Sequence, residues 1–595
     1  MKISKTAFKE YIRCDRIYPL ENIYLKKLDN NLSYFDEENV LEILSSMFDE
    51  ETGEDLIIND NKTLEAMLEF YQDVEKYAIQ IASNVFGIKI EYYKETKKQK
   101  SFTFKDESNH SFYCYLDGYL EKEDEVIVIE VKATTSKKYK KAGTNNKPLF
   151  FEDGNFLILN DIITGSDKRF VNQYEKLFDP LSDTGKYVFD LAVERYIIEK
   201  SLMQNNPELL KKKFKYYLAV LNSDYIFNGK YENGMPVYSN DLINFIDLTS
   251  VTSLYLPKID EMKNEVVSRI DAKALPKEVF GKKCGFNTQN QCIFFDICFP
   301  KLKEKGNITE YMQTRKFGPD KLSKEDLINK GKFMLTDIER SWLTNKNNLI
   351  QRDSFENNTV HINKHKIKAG IEKLEYPIYH LDFETFPCPL PRFKGERPYT
   401  QSLFQFSVHI ETSPGKCNFN KDNYSYLVND YNDNRRELVE ELIKVIDLSK
   451  GGTVLVYNQR FEEGRLKELV TLFPEYKNEL EKIIDSLFDL MDIVKTNSKL
   501  YLSLGFDEDE SKEVNYYHSD LTGKYSIKKV LPLFSNLNYA KLNVKNGTEA
   551  IVSYVKFKYL DQEEIEEIRQ DLLEYCKLDT WAMVVILDKL RKLSK

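Results

Sequence analysis

The sequence predicts a mixed α/β protein that is divided into more than one domain. Its 595 residues exceed what one hydrophobic core usually holds, so we expect about two to four domains. From Tyr376 onward, apolar runs typical of strands alternate with helical patterns, which predicts a sheet covered by helices. Nearer the start, two alternating runs at 111–120 and 126–133 flank an acidic turn, which predicts a β-hairpin.

The other elements follow in chain order from their hydrophobic periodicity. Residues 1 to 90 predict mainly helix, and further helices are expected at 187–204 and 255–272. A stretch rich in Lys, Glu and Asn then predicts a helical connector. The C-terminal part predicts strands at 376–384, 403–411 and 453–457 and helices at 435–448, 460–472, 475–487 and 563–594.

Composition is that of a globular protein, with 42% hydrophobic and 31% charged residues. The sequence contains no long apolar run and no basic-then-apolar leader, so we expect a cytoplasmic protein that does not enter a membrane. The formal net charge is −10, but a polyanion needs only local basic surface. Lysine clusters such as the one at 137–141 offer it, although solvated surface lysines are the alternative.

Two short segments in the C-terminal part carry closely spaced acids. Asp382 and Glu384 lie at i and i+2 in a predicted strand and therefore project from one face. Tyr575 and Asp579 lie at i and i+4 in a predicted helix and also share a face. Burying several acids is costly unless a cation compensates, and hard divalent cations with oxygen ligands do so. Such ions serve phosphodiester cleavage, so the segments predict a metal-dependent nuclease.

A third segment, Asn458 to Glu462, follows a predicted buried strand and opens a helix. The three segments resemble, in chain order, the three motifs of the DEDD superfamily of 3′–5′ exonucleases, tyrosine subgroup. These segments are Asp-x-Glu, Asn458 to Glu462 and Tyr-x-x-x-Asp. Enzymes of that superfamily have an RNase H-like fold. Glu462 stands where the family usually has Asp, and the spacing from Asn458 to Phe461 is one residue short.

The resemblance implies specific roles for five residues of this chain. Asp382 would bridge two Mg²⁺ or Mn²⁺ ions, Glu384 and Asp579 would bind one of them, and Glu462 would serve the other. Tyr575 would orient the attacking water. An inactive scaffold of the same fold remains the alternative.

The predicted hairpin carries a second acidic site. Asp117 lies on one arm, and Glu130 and Lys132 interrupt one face of the other arm. Two carboxylates could hold a cation, and the ammonium could position hydroxide or offset phosphate charge. A structural salt bridge is the alternative.

The spacing of these three residues resembles that of the PD-(D/E)XK nucleases, whose fold is that of restriction endonucleases. The resemblance implies metal binding by Asp117 and Glu130 and catalysis by all three residues. An upstream ligand is also expected, for which Glu75 is a candidate, and Glu194 and Tyr196 stand where RecB-like members carry a Gln-x-x-x-Tyr helix.

One cysteine near the start and three beyond the hairpin complete the N-terminal pattern, namely Cys14, Cys284, Cys292 and Cys298. The set resembles that of RecB-like nucleases of the CRISPR-adaptation and AddB type, in which four cysteines hold a 4Fe–4S cluster that staples the domain. Four thiolates suit zinc as well, and unligated buried thiols are a further alternative.

We therefore predict three segments: a RecB-like nuclease domain with an iron–sulfur staple (1–300), a helical connector (301–371) and a DEDD-type exonuclease domain (372–595). The pairing resembles a bacterial family of unknown function. The expected activity is metal-dependent 3′–5′ hydrolysis of DNA with single-stranded or frayed ends, in repair or in defence against foreign DNA, with a second nuclease site in the N-terminal domain. Alternatives are a nucleic-acid-binding scaffold with one or both sites inactive and an RNA 3′–5′ exonuclease. Protein partners are not predictable from the sequence.

Overall fold

A computed structural model of the chain describes residues 1–24, 61–144, 147–160, 167–272, 274–286 and 291–595. These residues form a mixed α/β structure, which confirms the predicted class at that level. They group into two compact units. The first contains the described residues of 1–24, 67–294 and 387–400, and the second contains 295–386 and 401–595. Within the described ranges, no helix is both long and apolar enough to cross a bilayer.

The elements up to residue 272 begin with a short strand and two helices. The helices are α1 (Lys5–Arg13), α2 (Ile17–Tyr24), α3 (Asn61–Phe86), α4 (Lys137–Lys140), α5 (Lys168–Glu175), α6 (Gly185–Asn205) and α7 (Thr249–Ala272). The strands are β1 (Lys2–Ser4), β2 (Lys100–Lys105), β3 (Ser111–Leu116), β4 (Gly118–Glu121), β5 (Glu125–Thr135), β6 (Gly143–Thr144), β7 (Lys147–Pro148), β8 (Phe150–Asp153), β9 (Phe156–Leu159), β10 (Lys213–Leu221), β11 (Tyr231–Glu232), β12 (Met235–Pro236) and β13 (Ile243–Asp247).

The first unit contains a six-stranded sheet in the order β4-β5-β10-β13-β9-β8 and a three-stranded sheet in the order β1-β3-β2. Strand β5 pairs antiparallel with β4 and parallel with β10. The predicted hairpin arm at 111–120 differs from the structure because it divides at Asp117. Strand β3 joins the small sheet and β4 joins the large one, and between them the Asp117 side chain accepts the backbone N–H of Val131 at 2.8 Å.

The elements from residue 295 onward belong to the second unit, apart from the end of β15. The helices are α8 (Phe295–Cys298), α9 (Lys324–Asn329), α10 (Lys346–Asn357), α11 (Lys364–Ile371), α12 (Arg435–Val445), α13 (Gln459–Leu472), α14 (Lys477–Asp485), α15 (Leu490–Val494), α16 (Ser498–Ser503), α17 (Glu508–Lys512), α18 (Ile527–Phe534), α19 (Gly547–Val555) and α20 (Gln562–Leu593). The strands are β14 (His361–Ile362), β15 (Ile378–Pro387), β16 (Gln401–Glu411), β17 (Asn423–Leu427), β18 (Thr453–Val456), β19 (Leu487–Asp489) and β20 (Tyr516–Tyr517). The stretch predicted as a connector contains the short helices α9, α10 and α11 and groups with this unit.

The second unit is organised around a five-stranded sheet in the order β17-β16-β15-β18-β19. Strand β18 pairs in parallel with both β15 and β19, and β16 pairs antiparallel with β17. One apolar core contains Leu381 of β15 with Leu438 of α12 and Leu466 of α13. A second core contains Ile378 of β15 with Met583 of α20. Helices therefore cover both faces of β15, which accounts for its continuous apolar run.

Candidate functional site

Strand β15 positions the first pair of acids. Its side chains Tyr379, Leu381 and Phe383 belong to the core under α12 and α13. Because side chains alternate along a strand, Asp382 and Glu384 lie on the opposite face. Glu384 is buried with 8% of its surface exposed, and Asp382 is half-buried.

Helix α20 packs on that same face. Gln405 of β16 donates its side-chain N–H to the carbonyl of Leu572 at 2.8 Å, which ties the helix to the sheet. One turn further, the Cys576 thiol donates to Oδ2 of Asp382 at 3.5 Å. The Cys576 sulfur and one carboxylate oxygen each from Asp382 and Glu384 all lie within 4.8 Å of one another. Among the described residues, this is the group whose spacing suits a metal ion.

The protonation of Cys576 indicates which of these groups could act as a ligand. Burial, together with the charges of Asp382, Glu384 and Asp579, raises the pKa of the thiol well above its ordinary value. The thiol therefore stays protonated and acts as a hydrogen-bond donor to Asp382. The oxygen ligands left for a cation are carboxylates, which suit Mg²⁺ or Mn²⁺.

An elbow between β18 and α13 positions the acid of the middle motif. Asn458 has a left-handed conformation with φ 75°, which asparagine tolerates better than most residues. Helix α13 begins at the next residue and carries Glu462 in its first turn, where only 2% of its surface is exposed. Glu462 is therefore buried at the strand-to-helix junction.

Asp489, at the end of β19, holds this elbow in place. Its carboxylate accepts the backbone N–H groups of Asn458 and Gln459, both at 3.1 Å, and that of Met491 at 2.9 Å. Burial raises the pKa of Asp489, while the three donors oppose the rise. Asp489 is therefore a buried carboxylate that binds three backbone donors.

Two further side chains, Tyr539 and Lys528, lie near the third motif. The Tyr539 hydroxyl donates to Oδ1 of Asp579 at 2.5 Å. The Lys528 ammonium lies 5.7 Å from the ring centroids of both Tyr539 and Tyr575. Tyr539 follows a loop without hydrophobic periodicity, so no sequence signal links it to Asp579.

These elements surround one cavity of about 360 Å³ within the second unit. Its lining contains all five residues that the sequence indicates for this part of the chain: Asp382, Glu384, Glu462, Tyr575 and Asp579. Lys495 and Lys524 also line it, so basic and acidic residues border the same space. Burial lowers the pKa of Lys495, against the opposing charge of Asp492. The donor set fits hard divalent cations beside an anionic group.

The acids predicted in the first unit also lie close together. Asp117 follows β3 and is half-buried. Burial and the charge of Glu130 raise its pKa to about 6. Glu75 of α3 belongs to the same cluster, since burial and the charge of Asp117 raise its pKa to about 8. Burial is the larger cause of both raised pKa values, and a neighbouring acid adds to each of them.

Lysines surround the other acids of this cluster. Lys132 Nζ lies 2.8 Å from Glu130 Oε1 and 3.4 Å from Asp190. The Lys5 ammonium lies 2.9 Å from the same Glu130 oxygen and 2.5 Å from Glu194. Although burial opposes ionisation, Lys132 and Lys5 hold the pKa of Glu130 below its ordinary value. The sequence indicated neither Lys5 nor Asp190, because their partners are distant along the chain.

Three of the four predicted cluster cysteines lie in the first unit, and Cys298 ends α8 in the second. The backbone N–H of Cys292 donates to the Cys284 carbonyl at 3.0 Å. Burial raises the pKa of the Cys292 thiol to about 11, and the nearby Cys14 thiol adds to the rise. Within the described residues of the first unit, the thiols of Cys14, Cys284 and Cys292 do not all lie within 4.8 Å of one another. Iron–sulfur or zinc binding stays a prediction.

Fold and site together define a mixed α/β protein with an acidic cavity suited to divalent cations. A family model described as "Domain of unknown function (DUF2779)" matches residues 379–526, which include β15 and the elbow. The chain is 27% identical over 256 residues to "Uncharacterized protein UU173" of Ureaplasma parvum, covering 40% of this chain and 34% of the relative. It is 26% identical over 249 residues to "Uncharacterized protein MG366" of Mycoplasma genitalium, covering 39% and 34%.

The chain thus spans about a third of the length of the curated relatives that it matches. No solved structure matches it. These matches support a relation to a bacterial family of unknown function.

Proposed function

We propose that the second unit is a divalent-metal-dependent nuclease that removes nucleotides from 3′ ends of DNA. The observation that carries the proposal is the arrangement of Asp382, Glu384, Glu462, Tyr575 and Asp579 around one cavity. These residues come from segments that are distant in sequence, and they match the motif order of DEDD-type exonucleases. The substrate would be a single-stranded or frayed end, and the setting would be cytoplasmic repair or defence against foreign DNA.

The chemistry divides between a bound metal and the residues of the chain. Bound Mg²⁺ or Mn²⁺, held by the carboxylates of Asp382, Glu384, Asp579 and Glu462, would activate water and neutralise charge on the phosphate. The Tyr575 hydroxyl would orient that water, and Tyr539 keeps the Asp579 carboxylate oriented through its 2.5 Å hydrogen bond.

Lys495 and Lys524 support an anionic substrate. Both residues line the cavity, and their ammonium groups could offset phosphate charge there. A volume of about 360 Å³ falls within the range of small-ligand sites and is sufficient for one terminal nucleotide.

The proposal is tested with oligonucleotides labelled at either the 5′ or the 3′ end. Native protein with Mn²⁺ should shorten single strands from the 3′ end, and Asp382→Ala or EDTA should stop it. The exposed Asp485, replaced in Asp485→Asn, serves as the matched control and should leave trimming unchanged. Trimming by Asp382→Ala at the native rate would refute the assignment.

Two alternatives remain open to the same assay. A panel of DNA and RNA strands separates the two substrates, because no described feature reports recognition of the 2′-hydroxyl. A scaffold with inactive sites would bind strands without shortening them in any metal.

A second candidate function concerns the first unit. The proximity of Lys132, Glu130 and Asp117 supports a separate PD-(D/E)XK-type nuclease site. Any cleavage that survives Asp382→Ala should disappear on adding Lys132→Ala. The predicted 4Fe–4S cluster would be tested independently by the colour and iron content of anaerobically purified protein.

A further inference from the structure

Helix α19 borders the cavity of the second unit. Gly547, its first residue, and Ile551, one turn further on, both line that cavity. Residues at i and i+4 of a helix share a face, so this face of α19 is the one that borders the cavity. Ile551 is a buried aliphatic side chain, whereas Gly547 has no side chain. The wall that α19 contributes is therefore filled at one end and open at the other.

Contacts at both ends of α19 hold the helix in place. The Tyr554 ring stacks on Phe404 of β16, with ring centroids 4.3 Å apart and an angle of 3° between the planes. At the other end, the Asn546 side chain caps the helix by accepting the backbone N–H of Glu549 at 2.9 Å. Gly547 therefore has a fixed place on the cavity wall.

The space next to Gly547 is where a side chain would meet Glu384. A β-carbon added at Gly547 would lie 3.8 Å from Oε2 of Glu384. Among the described residues, no other atom comes within 4 Å of that position, apart from the chain neighbours of Gly547 and the adjoining backbone of α19. Since Gly547 and Glu384 both line the cavity, the space that a side chain would occupy belongs to the cavity.

Backbone conformation does not require glycine at this position. Glycine is the favoured residue where φ is positive, but Gly547 begins an α-helix and its φ lies outside the left-handed region. The backbone could thus carry a larger residue here. What such a residue would remove is the open space beside Glu384.

We propose that Gly547 is a specificity-determining residue, which admits the sugar and phosphate of the terminal nucleotide by leaving the space beside Glu384 open. The inference rests on the proposed function and deepens it. Cations held by the carboxylates of this cavity would bind the scissile phosphate, so the part of the nucleotide nearest to Glu384 is the part that contains the phosphate. Every nucleotide shares that part, so Gly547 should select for its size and not for the identity of the base.

The test compares Gly547→Leu with native protein by calorimetry. The full chain is titrated first with Mn²⁺ alone and then, in saturating Mn²⁺, with deoxyadenosine or deoxycytidine 5′-monophosphate. Every proposed carboxylate ligand remains in Gly547→Leu, so its Mn²⁺ affinity should stay within about twofold of the native value. Both nucleotides should bind about tenfold or more weakly, and to the same extent, because the leucine side chain occupies space that they need. The KM for a single-stranded oligonucleotide should rise by a similar factor.

Gly464→Leu is the matched control. Gly464 lies within α13, and a β-carbon added there meets no atom of the described residues within 4 Å, apart from its chain neighbours and the adjoining helix backbone. This variant should bind Mn²⁺ and both nucleotides like native protein.

Three results would overturn the inference. The first is a folded Gly547→Leu protein that binds both nucleotides with native affinity. The second is a fall in its Mn²⁺ affinity as large as the fall in nucleotide affinity, because the residue would then act on the cation site. The third is a loss confined to one of the two nucleotides, which would assign the space to the base.

Folding and the proposed function are tested separately. If circular dichroism shows that Gly547→Leu does not fold, Gly547→Ala is titrated in its place; its methyl group should weaken both nucleotides by about threefold, and native affinity would refute the inference. Native protein that neither binds the nucleotides nor shortens strands would refute the proposed function itself. Native protein that does both, beside an equally active Gly547→Leu with native KM, would refute this inference alone.

Discussion

Replacing Asp382 by Asn should affect stability in opposite directions with and without metal. In Asp382→Asn, the carboxylate that lies within 4.8 Å of a Glu384 oxygen becomes neutral. Two unit charges at that distance repel by about 3.5 kcal/mol at an effective dielectric constant of about 20, and by about 0.9 kcal/mol in bulk water. Because Asp382 is half-buried, we expect its neutralisation to raise the free energy of unfolding by about 1 to 3 kcal/mol in EDTA.

The substitution is conservative in its other contacts. The Asn carbonyl oxygen can still accept the Cys576 thiol hydrogen, which in the native protein lies 3.5 Å from Asp382. Loss of charge is thus the main change. In saturating Mn²⁺ the order reverses, because an ion that binds only the folded state stabilises it by about 2.7 kcal/mol at a hundred times its dissociation constant. Asp382→Asn removes a proposed ligand and should therefore lose most of the stabilisation that Mn²⁺ provides.

Thermal unfolding of native protein, Asp382→Asn and the exposed control Asp485→Asn measures both effects. Each kcal/mol corresponds to about 2 °C for a unit of this size. Asp382→Asn should melt higher than native protein in EDTA and lower in Mn²⁺, while Asp485→Asn should follow native protein in both. Two results would show that the carboxylates do not form a shared cation site. One is a melting temperature of Asp382→Asn in EDTA below that of native protein, and the other is stabilisation of Asp382→Asn by Mn²⁺ equal to that of native protein.

Three further outcomes follow from individual side chains. Tyr575→Phe removes a hydroxyl that lines the cavity without removing a carboxylate, so trimming should slow by about tenfold or more while Mn²⁺ affinity in calorimetry stays unchanged. Asp489→Ala leaves three backbone N–H groups without their acceptor, so urea denaturation should show a loss of about 3 kcal/mol or more; a loss below 1 kcal/mol would contradict the role given to this carboxylate. Burial lowers the pKa of His409 to about 4, so the unfolded chain takes up this proton before the folded one does. Stability should therefore fall as the pH drops from about 6.5 to about 4, and His409→Gln should show a smaller fall in the urea midpoint.

The helices and central strands of the second unit were largely predictable because local signals agree there with the tertiary structure. The predicted helix 563–594 corresponds to Gln562–Leu593, since Asp561 and Glu564 form a capping box at its start. The predicted strand at 403–411 corresponds to Gln401–Glu411. The shared face of Asp382 and Glu384 was also predictable, because side chains two residues apart in a strand always project from the same side.

The first unit was less predictable because its departures depend on long-range contacts. The alternating run at 111–120 continues through Asp117, so no local pattern marks the point where the chain passes from one sheet to the other. At that point the Asp117 side chain accepts the backbone N–H of Val131, which lies 14 residues further along the chain. In the same way, Lys5 lies in an amphipathic helix and resembles a surface lysine until Glu194, 189 residues away, is brought beside it.

The two acidic clusters differ in how the chain balances their charge, and this sets the order in which they should take up cations. In the first unit, Lys132 and Lys5 hold the pKa of Glu130 low in spite of its burial. In the second, burial and the neighbouring acids, Asp382 first among them, raise the pKa of Cys576, so the field at the thiol is strongly negative. A divalent cation would lower the energy of such a field directly, whereas in the first unit two ammonium groups already contact Glu130. At limiting Mn²⁺ the second unit should therefore fill before the first.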